Sequence, residues 1–290
     1  MTPGPLALLP FALLLCAVIG LWIRRFVWIG AFAAAIGVAY ITGAITGLAG
    51  LWIAILAAFA IGYRVARDAP RTRATQAAQL IAGVAFFAFA LAMSLLILPG
   101  FPRTKLIADT VLSPGAVPYG IGLGFPKVAA GILVLGIING TRVRSWSELG
   151  HVLKLALPIL AVTTGAVMMF ALATGSVAFD PKWTPIFLVW AVTSLFFTCL
   201  SEEAFFRGFV QAELARLGGR AWTVIAVIVS ATLFGLAHFG GGLTYVVAGT
   251  IAGLGYALAY ARTQRIEAAM AVHFGVNAAH FLLFTYPRLA

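Results

Sequence analysis

The chain has 290 residues, of which 62% are hydrophobic and 9% charged, and its mean hydropathy is +1.05. A soluble domain carries about 25% charged residues, so the composition excludes a soluble globular fold, a disordered chain and a collagen-like repeat. The net charge of +11 is split among short loops rather than gathered in one patch. That argues against a nucleic-acid partner and for basic loops on the cytoplasmic side of a lipid bilayer.

At roughly 20 residues per crossing, the chain is long enough for up to about a dozen spans. Its apolar runs are continuous and rich in Ala, Leu, Ile and Phe. A transmembrane barrel would instead alternate over segments of about ten residues. The expected fold is all-α, a polytopic transmembrane helical bundle of about ten spans (eight to ten).

In chain order, the apolar segments cover 5–23, 26–43, 45–63, 78–98, 118–139, 151–174, 185–215, 221–239, 243–261 and 266–285. No cation precedes the first segment, and Arg24 and Arg25 follow it. That order is wrong for a signal peptide and places the N-terminus outside. The segment 118–139 is the weakest, because it opens with Pro118 and carries Pro126 and Lys127. The Gly/Pro-rich stretch 99–127 reads as an external loop. Alternating the spans from an outside N-terminus puts thirteen Lys/Arg inside and five outside, as the positive-inside rule requires. The expectation is an integral protein of the plasma (inner) membrane with both termini outside. Cys16 and Cys199 lie in apolar runs and form no CxxC pair, so cysteine-based zinc and redox motifs are absent.

The chain divides by content. Spans within 1–180 carry no acidic residue or histidine near their middle, whereas three motifs within 183–285 place ionisable groups inside apolar helices. One charge at a helix centre costs about 2.5–3.5 kcal/mol on insertion scales, so three charges in six residues, Glu202, Glu203 and Arg207, need a reason. Glu203 and Arg207 are four apart and share a helix face. Glu202 points about 100° away and is left for chemistry. The second motif runs from Phe234 to His238, and the third from His273 to Asn277. A buried carboxylate accepts a proton from water, a histidine orients that water, and His or Asn donors stabilise an oxyanion. By helical rise, Glu202 and His238 sit roughly 21 and 25 Å from the turn between their helices, and His273 and Asn277 roughly 10 to 16 Å into the last helix. Convergence requires tilt or a cytosolic extension of the Glu202 helix, which puts the site in the cytoplasmic half of the membrane. Gly235, Gly249, Gly253 and Gly275 read as close helix contacts, and His280 as structural.

These residues resemble the CPBP family, the CAAX proteases and bacteriocin-processing enzymes also called ABI, which includes the type II CAAX prenyl endopeptidases. The pattern EExxxR, FxxxH and HxxxN stands here in order as Glu202-Glu203-xxx-Arg207, Phe234-xxx-His238 and His273-xxx-Asn277. The resemblance covers about residues 183–285 and leaves 1–180 as a divergent N-terminal set of helices. It implies an intramembrane protease acting on a membrane-associated peptide or protein. Glu202 would be the general base and His238 would help activate water. His273 and Asn277 would form the oxyanion site, Glu203 and Arg207 would pair, and Phe234 would pack beside them. A glutamate-type mechanism without a cofactor is favoured, since HExxH is missing. A zinc ion, if used, would fall to Glu202, His238 and His273. Two other readings use the same residues: a transporter with a proton path, and a non-catalytic immunity or scaffold protein.

Overall fold

The computed structural model describes residues 4–290. Ten helices are present among the described residues: α1 (Pro5–Ile23), α2 (Arg25–Ile41), α3 (Gly47–Asp68), α4 (Arg73–Ser94), α5 (Phe125–Ile138), α6 (Trp146–Ala173), α7 (Phe187–Ala215), α8 (Arg220–Leu236), α9 (Leu243–Thr263) and α10 (Ile266–Leu283). Seven are long and apolar enough to cross a membrane; α2, α5 and α8 are shorter. The helical, membrane-embedded reading therefore stands, with seven helices rather than ten that meet the length of a full span. Their outward faces carry Leu80, Ile81 and Val84 on α4 and Val162 and Met169 on α6, all exposed. Exposed aliphatic rows suit lipid, where no aqueous penalty applies.

The fold is not purely helical. In the stretch expected to be an irregular loop, strands β1 (Thr104–Thr110) and β2 (Tyr119–Leu123) pair. Ser113-Pro114-Gly115-Ala116 turns between them, with Gly115 at φ +69° and Ala116 N–H donating to Ser113 O at 3.1 Å. Proline then a left-handed glycine is the pattern of a type II turn. The expected segment 118–139 accordingly begins its helix late, at Phe125, with Pro126 in the first turn where its missing N–H costs nothing.

The chain forms two compact units. The first comprises 1–106, 122–140 and 196–201. Here α1 and α2 are separated only by Arg24, whose backbone is extended. Arg64 and Arg67, at the end of α3, donate to the carbonyls of Ile137 and Ile138 at 3.2 and 2.9 Å. They satisfy the open C-terminal carbonyls of α5 with a favourable cation.

The second unit comprises 107–121, 141–195 and 202–290. Within it α6 packs on α9 and α10, and α9 lies between α8 and α10. Small residues set these distances. A Cβ on Gly253 of α9 would lie 3.0 Å from Ala231 O of α8, tighter than most real contacts. One end of the unit is clamped by Arg265 Nε to Glu148 Oε1 at 2.6 Å and by Val143 N–H to Glu267 Oε1 at 2.9 Å. At the other end the tail 284–290 is threaded between two backbone segments. Thr285 N–H donates to Ala178 O, Leu289 N–H to Ser176 O, and Val117 N–H to Arg288 O, at 2.9, 2.9 and 3.1 Å.

Candidate active site

The two glutamates sit where α7 changes its winding. Ser194–Cys199 and Ala204–Gln211 are wide π-type turns, and Leu200–Glu203 is the α-helical step between them. Such turns recur at functional sites because they re-aim side chains. Periodicity reasoning with a 3.6-residue repeat cannot see them.

Glu203 and Arg207 are fully buried, and Arg207 Nη1 donates to Glu203 Oε1 at 3.2 Å. The guanidinium also donates from Nη2 to Gly253 O at 2.8 Å. Its carbon lies 4.8 Å from the Phe234 ring centroid and 5.3 Å from that of Tyr256. An ion pair desolvated this completely persists only with extra hydrogen bonds and polarisable neighbours, and both are present. The pair lies at the point where α7, α8 and α9 meet.

The same Oε1 of Glu203 also receives His273, with Nδ1 at 2.8 Å. The sequence pairs Glu203 with Arg207 alone, so this second bond is a finding of the structure. It orients the ring so that Nε2 faces Glu202, 4.0 Å from Oε2. His273 is further held by stacking on Tyr256, with centroids 4.4 Å apart at 13°, and by the edge of Phe234 at 5.6 Å. His273 is 4% exposed, whereas the Glu202 side chain keeps 15%. Of the two glutamates, Glu202 is therefore the one with access to space.

His238 lies beyond the end of α8, in the turn before α9. Its Nδ1 is 2.8 Å from Phe234 O. A carbonyl only accepts, so Nδ1 carries the proton and Nε2 presents a lone pair when the ring is neutral. Asn277, one turn after His273, faces the same cavity.

That cavity, about 140 Å³, is lined at one end by Phe234, His238, Tyr256, His273 and Asn277. At about 30 Å³ per water, it holds several. It runs past apolar walls, Val167, Ala248 and Val276 among them, toward Ser176, Pro287 and Arg288. His280, read from the sequence as structural, also lines it. His273, Asn277 and His280 are spaced four and three apart, one helix face, so that signal was in the sequence. Tyr256 gave none, being one apolar-looking aromatic in a small-residue helix.

The cavity mouth lies at the tail end of this unit, away from Glu148 and Arg265. The charge count puts Arg265 inside, so the mouth falls on the side that the same count makes outer. α8 ends at Leu236, which places His238 at the far end of its helix rather than within it.

The residues that would ligate zinc do not form a three-ligand cluster. Among the described residues no three His, Cys, Asp or Glu side chains lie close enough to share an ion, and His273 spends Nδ1 on Glu203.

Residues 183–279 match the family model described as type II CAAX prenyl endopeptidase, Rce1-like. No curated protein and no solved structure matches the chain significantly. The matched segment holds α7 to α10 up to Asn277, and with it all three motifs and the Glu203 node. Over that segment, a third of its length, the chain is similar to the Rce1-like type II CAAX prenyl endopeptidases.

Proposed function

We propose that the protein is an intramembrane endopeptidase that hydrolyses a peptide bond of a membrane-associated substrate by a glutamate-type mechanism. Glu202, whose Oε2 lies 4.0 Å from Nε2 of the cavity-lining His273, takes a proton from a water beside that ring, and the Nε2 lone pair of His238 helps orient that water. The water oxygen attacks the scissile carbonyl, and His273 Nε2 and the Asn277 amide stabilise the oxyanion. The proton held by Glu202 then passes to the leaving nitrogen. With Nδ1–H given to Glu203, His273 donates from Nε2 only as an imidazolium, whose charge the two neighbouring carboxylates offset. Glu203 and Arg207 are positioning residues. No step uses a metal.

One observation carries this reading. Glu203 Oε1 holds Arg207 and His273 at once, and this leaves the partly exposed Glu202 4.0 Å from the other nitrogen of His273. A transporter's proton path would need no such division between a buried strut and an open carboxylate. Access follows the charge count, taken over five basic loops. The cavity opens on the outer face of the plasma membrane, the side of both termini.

The test is cleavage of a pool of quenched fluorescent peptides, lipidated and not, by purified protein, with products identified by mass spectrometry. Defined cleavage, unchanged by 1,10-phenanthroline, is expected. Cleavage lost to the chelator and restored by zinc overturns the glutamate mechanism. Proton uptake into proteoliposomes without any cleavage overturns the protease.

A further inference from the structure

The protease reading draws its residues from the second unit. The first unit has a charge layout that this reading leaves unused. Its segments, 1–106, 122–140 and 196–201, contain nine Lys/Arg and a single acidic residue, Asp68. Six of the nine, Arg24, Arg25, Arg64, Arg67, Arg71 and Arg73, fall on the α1–α2 and α3–α4 connections or on the helix turns beside them.

Both connections meet the carboxyl end of α5. Trp28, one turn into α2 after Arg25, packs so close to Gly136 that a Cβ there would stand 2.7 Å from Trp28 Cζ2. From α3, Arg64 and Arg67 donate to the carbonyls of Ile137 and Ile138 at 3.2 and 2.9 Å. Three consecutive residues of α5 thus tie the two connections into one patch. Its charges do not balance. Asp68 bonds Arg64 and Arg67, so the sole carboxylate of the unit is spent on them. Arg24, Arg25, Arg71 and Arg73 are exposed, and the unit holds no further carboxylate to pair with them. Four uncompensated guanidinium groups in one patch repel one another and attract an anion.

The neighbours of these cations say which anion. Phe26, beside Arg25, is 84% exposed, and Ile23, Ile61 and Val65 are exposed as well. Apolar groups set among cations suit the level where acyl chains meet headgroups. An acidic soluble protein or a nucleic acid would neutralise the arginines but leave Phe26 and Val65 in water. The guanidinium fork matches a phosphate in bidentate fashion.

We infer that this patch binds an anionic phospholipid of the surrounding bilayer. Arg24, Arg25, Arg71 and Arg73 hold the phosphate, and Phe26 and Val65 lie against the acyl chains. The charge count puts this end at the inner leaflet, where anionic lipid attracts basic segments. The inference uses the first unit alone and stands whether or not the protein cleaves peptides.

The experiment uses the full-length protein in neutral detergent. Phosphatidylglycerol, phosphatidylcholine and free glycerol phosphate are titrated in turn, with binding read by native mass spectrometry and by the shift in unfolding temperature. Phosphatidylglycerol is expected to bind and to raise the unfolding temperature, less so as salt rises. Phosphatidylcholine and glycerol phosphate at the same concentration should do neither. At about fivefold per arginine near a membrane surface, Arg24→Gln with Arg25→Gln should weaken phosphatidylglycerol binding about 25-fold, and so should Arg71→Gln with Arg73→Gln. The matching Lys variants keep the charge and should retain part of the affinity. Arg103→Gln, beyond the opposite end of α4, should leave it unchanged. The lipid-free unfolding temperature of each variant separates loss of the site from loss of the fold, and if one pair unfolds the other decides. Phosphatidylcholine bound as tightly as phosphatidylglycerol overturns the site, as does phosphatidylglycerol binding that survives a folded pair variant. Glycerol phosphate bound as tightly as the lipid, or an oligonucleotide that displaces the lipid, overturns the choice of a phospholipid.

Discussion

Glu203→Gln is the most informative single change, because one oxygen supports two partners. Arg207 is fully buried and its charge is balanced by Glu203 Oε1 at 3.2 Å, with one further bond to Gly253 O. Removing one member of a buried ion pair costs about 3–5 kcal/mol, chiefly because the other charge stays desolvated. At about 2–4 °C per kcal/mol for a large domain, the apparent unfolding temperature in detergent should fall by at least about 6 °C. Replacing both partners with apolar residues of similar volume, Glu203→Leu with Arg207→Met, removes the orphan charge and should recover most of that loss. Activity should not recover, because His273 Nδ1 still lacks its acceptor at 2.8 Å. The assay pairs thermal unfolding with peptide cleavage on the same preparations. A double variant as unstable as the single one, or a double variant that cleaves normally, refutes the argument.

Asn277→Ala should lower kcat about 10²–10³-fold, the usual loss for one oxyanion donor, with KM little changed in steady-state assays. Gly253→Ala places a methyl 3.0 Å from Ala231 O and 3.1 Å from Ala231 Cα. It should cost about 1–3 kcal/mol of stability by overpacking, and it should also reduce activity, since Gly253 O holds Arg207; both are read in the same unfolding and cleavage assays. At the tail end, the Ser113 hydroxyl, and then Lys182, hold the carboxyl of Asp180 below its ordinary value. A carboxyl with a lowered folded pKa contributes stability that is present above about pH 4, its unfolded value, and lost as pH falls through the folded one. Asp180→Asn should therefore flatten the acid side of the stability profile below about pH 4 and leave neutral stability slightly lower, as measured by unfolding temperature against pH.

The sequence carried the membrane class and the placement of most helices, because apolar run length is a direct physical signal. It also carried the three motifs, because a charge inside an apolar run is costly enough to stand out. It did not carry the node at Glu203. The partnership with His273 joins residues 70 apart, and it depends on the π-type turns around Leu200–Glu203 that shift the face each glutamate presents. The β1–β2 hairpin was hidden by a Gly/Pro-rich composition that reads as loop until Ser113-Pro114-Gly115-Ala116 is recognised as a turn with strands on either side. The course of the tail was not legible either, since nothing in the local sequence says that it folds back against Ser176 and Val117. The His280 signal was legible in its spacing from His273 and Asn277, but it was set aside because the residue falls outside the third motif.

The central claim is the division of labour between the adjacent glutamates, and one comparison tests it most directly. Peptide cleavage and unfolding temperature would be measured together for the wild type and Glu202→Gln. Arg207 is held by Glu203 at 3.2 Å and Glu202 is partly exposed, so the variant should unfold within about 2 °C of the wild type, a change within the range of surface substitutions. Its cleavage rate should be lower by about 10²–10⁴-fold, the contribution of a general base. A Glu202→Gln protein that is equally stable and cleaves at the wild-type rate would contradict the account.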